Sequence, residues 1–141
     1  MKYLVDTNIL IYLMNSKSIK LQNKFTKKNP EQFCVSSITV AELIYGAKKS
    51  KHIERNIEAA IKIVSPFTII DFTGEDAFEY GDIRAELEIK GKVIGGNDIL
   101  ISSQARRQNL IVITANVKEF ERVPRLKVEN WAEDINNKSG V

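Results

Sequence analysis

The 141-residue sequence predicts an α/β protein, with one parallel sheet covered on both faces by helices. Two observations predict it. Short apolar runs alternate with longer stretches whose apolar residues recur at helical spacing. Each run also leads through turn or capping residues into a helix, so right-handed crossovers bring the strands' carboxyl ends to one edge. Sites in open parallel sheets form at that edge.

Residues 3–5 are the first strand, and Asp6-Thr7-Asn8 turns it into a helix over residues 9–14. That helix is apolar all round and is therefore buried. Residues 16–28 form a more amphipathic helix, with Leu21 and Phe25 on one face and lysines over the rest, and Asn29-Pro30 ends it. Residues 33–35 are the second strand. A helix over 38–49 follows, with Gly46 inside it at a cost to helix stability, a place for close packing. Ile53, Ile57, Ala60, Ile61 and Val64 mark an amphipathic helix, which Pro66 breaks. Thr68–Ile70 is the third strand. Thr73 and Asp76 have capping-box spacing at the start of a helix that runs to about Lys90. Its buried stripe reads Ala77, Tyr80, Ile83 and Leu87. Gly95-Gly96 then opens a helix carrying Asp98, which ends at Asn109, a residue that tolerates the left-handed turn. Residues 110–113 are a buried strand, Asn116 starts a short helix, and 126–128 are a last strand. Trp131 packs back onto the body. The reading is one domain over residues 1–133 and a frayed polar tail over 134–141.

Composition excludes several classes. Hydrophobic residues at 43% and charged residues at 28% describe a globular chain rather than a disordered one. No apolar run approaches the roughly 20 residues of a membrane helix, and no secretory leader is visible. Cys34, the only cysteine, excludes an internal disulfide and fits a reducing compartment, hence the cytoplasm. With His52 as the only histidine, neither a zinc site nor a Ser-His-Asp triad is expected, and no phosphate-binding Gly-rich loop is present. The net charge of +3 is compatible with nucleic acid without identifying it.

Three acids carry the chemical argument. Asp6 ends a strand, Glu42 lies early in an otherwise apolar helix, and Asp98 starts another. Two unit charges about 4 Å apart repel by roughly 4 kcal/mol at an effective dielectric near 20. Three carboxylates in one pocket therefore require a proton or a cation. Hard oxygen donors suit Mg²⁺ or Mn²⁺, which activates water and offsets charge on phosphorus. Thr7 and Thr114 are placed to orient the carboxylates or the water. Taken singly, each acid is also accounted for by a cap: Asp6 at a helix start, Glu42 in a box with Thr39, Asp98 at its own helix start, and Asn116 with Glu119. Lys90, Lys92, Arg106 and Arg107 flank the Asp98 segment and either guide a phosphate backbone or form a solvated face. Arg84 reads as an ion-pairing residue.

These residues resemble the PIN-domain ribonucleases, specifically the VapC toxins of bacterial toxin–antitoxin pairs. The anchors run in order: Leu4-Val5-Asp6-Thr7-Asn8-Ile9, Ser36-Ser37-Ile38-Thr39-Val40-Ala41-Glu42-Leu43 with Tyr45-Gly46-Ala47, Ile83-Arg84-Ala85-Glu86-Leu87, Ile94-Gly95 with Asn97-Asp98, Thr114-Ala115-Asn116-Val117-Lys118-Glu119-Phe120, and Asn130-Trp131. The resemblance implies a three-layer α/β/α sandwich with Mg²⁺ or Mn²⁺ held by Asp6, Glu42 and Asp98. It implies cleavage of RNA, with tRNA and the initiator anticodon stem-loop as the expected target, by a metal-activated water. It also implies a homodimer inhibited by a VapB-type antitoxin, with promoter DNA reached only through the antitoxin. Many such domains carry a fourth acid where this chain has Asn116. Asn116 is expected to hold the attacking water and Glu119 to orient it or a basic neighbour. The rival readings are a non-catalytic binding module of the same fold and an aspartyl phosphatase, against which Asn8 stands where a second acid is wanted.

Overall fold

The structure, a computed structural model, describes residues 1–15 and 18–132. Five strands, β1 (Tyr3–Val5), β2 (Phe33–Ser36), β3 (Thr68–Ile70), β4 (Ile111–Ile113) and β5 (Lys127–Glu129), form one sheet in the order β3-β2-β1-β4-β5. All neighbours are parallel, with Leu4 beside Cys34 on one side and Val112 on the other. The helices are α1 (Thr7–Met14), α2 (Ile19–Thr26), α3 (Ser37–Lys48), α4 (Ile53–Val64), α5 (Gly74–Ile89), α6 (Gly96–Arg107) and α7 (Val117–Phe120).

β1 lies at the centre and is buried on both faces, as is β2 beside it: Leu4 and Val5 are fully buried and Tyr3 nearly so. Tyr3 and Val5 face a core with Ile9, Leu10, Leu21, Phe33, Leu43 and Trp131. Leu4 faces the opposite core with Cys34, Ile101, Ala105, Val112 and Phe120. The first face is stiffened by aromatic contacts, with the Trp131 ring 5.1 Å from Tyr3 and 5.0 Å from Phe25. The strand order extends one way from β1 through β2 to β3, then resumes on the other side with β4 and β5. The topological switch point lies between β1 and β4, where a crevice opens at the strand ends.

Most predicted elements stand within a residue or two of their expected bounds. Helix 16–28 is shorter, with Ser18 capping Leu21 and the helix ending at Thr26. Ser16, Lys17 and the tail over 134–141 lie outside the described residues. Thr73 and Asp76 form the expected reciprocal capping box. Asn109 holds the left-handed conformation, φ 57°. Three expectations fail. α1 is not buried all round: Ile9 and Leu10 are buried, but Ile11 faces outward, because only one side of the helix meets the sheet. Ala77 is exposed, and Asp76 takes the buried position beside Ile83 and Leu87, because its carboxylate pairs with Arg107 of α6. Gly46 meets no neighbour within 4 Å of an added Cβ, so close packing does not select it.

Candidate active site

Asp6 leaves β1 in an extended conformation and caps α1, its Oδ1 accepting the Thr7 N–H at 2.8 Å. Its Oδ2 accepts the Thr114 hydroxyl at 2.8 Å from the adjacent end of β4. The same carboxylate thus caps α1 and reaches across to β4. Burial pushes the Asp6 carboxyl above its usual range; the Thr114 and Thr7 bonds oppose this, and the Glu42 and Glu119 charges add to it.

Glu42 does not close a capping box with Thr39. The cap of α3 is Ser36, whose Oγ accepts the Ile38 N–H, and this places Thr39 inside the helix. Glu42 lies a turn further on, and its Oε1 accepts the Thr7 hydroxyl at 2.8 Å. Thr7 Oγ1 is 3.3 Å from the buried Thr39 Oγ1. Thr7 therefore links the Asp6 turn to α3.

Asp98 is the third residue of α6, whose N-cap is Gly95, and no side-chain cap bond is formed there. Its carboxyl is pushed up to about 7, by burial first, then by a hydrogen bond shared with Glu119, then by the Asp6, Glu119 and Glu42 charges. Asn116 likewise makes no side-chain cap bond to α7. Its backbone N–H donates to Thr114 Oγ1 at 2.9 Å, so Thr114 relays the β4 exit to Asp6. Glu119, one turn into the same segment, faces Asp98. Asp6, Glu42, Asp98 and Glu119 thus face one another at the switch point. Glu42 and Asp98 line an open pocket of about 460 Å³ with Gly95, Gly96 and Asn97.

One positioning residue escaped the sequence reading. Asn8 Oδ1 accepts the Ala115 N–H at 3.2 Å and pins the β4 exit loop to α1. Its place in Asp6-Thr7-Asn8 was the available signal. Lys90 and Lys92 are exposed on the loop that leads to Gly95. Arg106 and Arg107 turn away from the acids and tie α6 to α5: Arg106 pairs with Glu79 and Glu86, Arg107 with Asp76 and Glu75. They are helix-to-helix ties, because α5 presents these acids to the face of α6 that they occupy. Arg84 pairs with Glu88 at 3.0 Å, as read. Cys34 is buried, and burial lifts its thiol to about 11, which leaves it inert.

A parallel α/β sandwich with carboxylates gathered at its switch point has the architecture of the PIN domains. A family model described as PIN domain matches residues 3–126, and the chain belongs to that family. Within it the chain belongs with the VapC ribonucleases. Ribonuclease VapC2 of Haemophilus influenzae is 47% identical over 131 residues, covering 93% of this chain and 98% of the relative. The tRNA(fMet)-specific endonuclease VapC of Shigella flexneri is 39% identical over 132 residues, with 94% and 99% covered. Among solved structures, VapBC2 of Rickettsia felis bound to a promoter DNA fragment aligns with a TM-score of 0.86 and 42% identity, covering 93% of this chain and 99% of that one.

Proposed function

We propose that this chain is the toxin of a toxin–antitoxin pair and acts as an Mg²⁺- or Mn²⁺-dependent endoribonuclease on tRNA, with the initiator tRNA anticodon stem-loop as the leading target. The observation that carries the reading is the set of four carboxylates gathered at the switch point, with Asp6 and Asp98 displaced upward in pKa by burial and by the neighbouring acids. Their donors are all hard oxygens, which fits these ions. Among the described residues no three of the acids already close on one point as a finished cage, so the carboxylates must turn inward to complete it. Asp6, Glu42 and Asp98 are the holders. When bound, such an ion acidifies water and offsets charge on the phosphoryl group.

The chain's own residues do the rest. Thr114 and the Thr7 N–H hold the two Asp6 oxygens, and the Thr7 hydroxyl holds Glu42. Asn116 and Glu119 orient the water that attacks phosphorus, and Glu119 or Glu42 takes its proton. Because water attacks rather than the ribose 2′-hydroxyl, the products carry a 5′-phosphate and a 3′-hydroxyl. Asp6 is buried with both oxygens engaged, a poor arrangement for the nucleophile of a phosphatase.

The relatives assign the partners: a VapB-type antitoxin restrains the toxin, and promoter DNA is met through that complex. α5 supports self-association as a homodimer, since Phe78 and Ile89 stand 84% and 87% exposed on its outer face. No described helix is long and apolar enough to cross a membrane, and we place the activity in the cytoplasm with its tRNA. Calorimetric titration of the antitoxin-free chain with Mn²⁺ tests the metal reading. Binding is expected in the native chain and lost in Asp98→Asn; equal binding by both overturns the assignment.

A further inference from the structure

We propose that the lysine-lined pocket between α2 and Trp131 is a second RNA-contacting surface, which grips the substrate's phosphate backbone away from the cut. The inference rests on the ribonuclease reading above. Of the chain's 21 basic and 18 acidic side chains, six lysines but only two acids fall in residues 1–32. The fold gathers part of this charge in one place. An open pocket of about 440 Å³ is lined by Tyr3, Lys24, Lys27, Lys28, Glu129 and Trp131.

Two of the three lining lysines, Lys24 and Lys28, are held rather than loosely solvated. Lys28 Nζ lies 5.6 Å from the Tyr3 ring centroid and 6.0 Å from that of Trp131, and Lys2 Nζ lies 5.2 Å from Tyr3. Lys24 Nζ donates to the Trp131 carbonyl at 3.3 Å. The one lining carboxylate, Glu129, accepts the Trp131 indole N–H at 3.0 Å, which turns it toward the ring. Each ammonium has three donors, so ring contacts and a single bond leave donors for an anion. Tyr3 and Trp131 are nearly buried, so the surface offers charge without a ring on which a base can stack. That selects backbone phosphate over base recognition.

Position fits the substrate. Tyr3 and Asp6 begin and end the same strand passage, roughly 10 Å apart at about 3.3 Å per residue. Tyr3 stands at the amino end of β1 and Asp6 follows its carboxyl end, so contact with both surfaces requires a folded RNA that passes round the sheet, and a short oligonucleotide confined to the cut touches the acids alone. The acids repel phosphate until a cation loads them, and a separate basic contact supplies the attraction they lack.

The test measures binding of intact tRNA against salt in chains carrying Asp98→Asn, which leaves the RNA uncut. Lys27→Gln with Lys28→Gln is expected to lower the salt slope by roughly 1.5, at about 0.7–0.9 per lost phosphate contact, with Lys27→Gln alone giving about half of that. Lys27→Arg with Lys28→Arg should keep the slope. Lys48→Gln with Lys51→Gln, at the far end of α3, should also keep it. Binding of a short RNA spanning only the cut should be insensitive to all of these. An unchanged slope in thermally intact Lys27 and Lys28 variants overturns the proposal. So does an equal loss in the control pair or with the short RNA, or a loss confined to duplex DNA. Cleavage by the unsubstituted chain, assayed alongside, separates the two readings: if it cuts no RNA, the ribonuclease reading has failed; if it cuts and the lysines are silent, only this inference has.

Discussion

At the scale of single residues, the sequence offered two accounts of each acid, and the local geometry decides between them. Asp6 caps α1 and also faces the acid cluster, because a strand-ending aspartate has two oxygens and only one is needed for the Thr7 N–H. Glu42 and Asp98 are not caps, because Ser36 and Gly95 hold those positions. Spacing alone cannot register a helix start to one residue, and this is why the ambiguity was real. Removing the Thr114 hydroxyl with Thr114→Val should lower cleavage by about 10- to 100-fold, the usual cost of losing a group that orients a metal-binding side chain. Comparing initial rates at saturating tRNA checks this. The pKa shifts set a second expectation. The Asp98 carboxyl is pushed up to about 7 in the folded chain from an ordinary value of 3.8, so the folded, metal-free chain holds the extra proton between those values. Stability therefore falls as pH rises from about 4 to 7, Asp6 acting in the same direction. Three pKa units correspond to about 4 kcal/mol. Asp98 is only half-buried, and solvent screening reduces its share to about 1–2 kcal/mol. Urea unfolding in EDTA across that range should show the decline, and Asp98→Asn should flatten it.

At the scale of elements, the strands were legible because they are continuous apolar runs bounded by turn residues. β1 and β3 have the expected ends. The α5 stripe was misread at Ala77 for a physical reason: periodicity assigns the core to apolar residues, and here an aspartate is buried at that place through an ion pair. Asp76 is fully buried. Burial alone would raise its carboxyl, but the Arg107 bond and the Thr73 capping bonds hold it below the usual range. Arg107→Ala should destabilise the fold by about 3 kcal/mol, since it leaves a buried carboxylate without its cation. The same variant, once folded, is expected to bind tRNA as well as the native chain, since Arg107 is paired with Asp76 and Glu75 of α5. Denaturation midpoints and tRNA affinity, measured together, separate the two roles. Thr73→Ala breaks the capping box and should cost about 1 kcal/mol.

At the scale of the whole molecule, strand order is what the sequence withheld. Nothing in the apolar runs states that β4 lies beside β1, yet that adjacency sets Thr114 against Asp6 and makes the crevice. Once the order is known, three acids that follow Asp6 by 36, 92 and 113 residues converge with it at one edge. The exposed Phe78 and Ile89 of α5 belong to this scale too. If they cover a second copy, Phe78→Asp should halve the mass seen in sedimentation, while an unchanged mass would place self-association elsewhere.

The most direct test of the central claim is to incubate the antitoxin-free chain with total tRNA and Mg²⁺ or Mn²⁺, beside Asp98→Asn and an EDTA control, and to map the fragment ends. One discrete cut leaving a 5′-phosphate and a 3′-hydroxyl, absent from both controls, is expected. A cut that survives Asp98→Asn, or one that leaves a 2′,3′-cyclic phosphate, would contradict the claim.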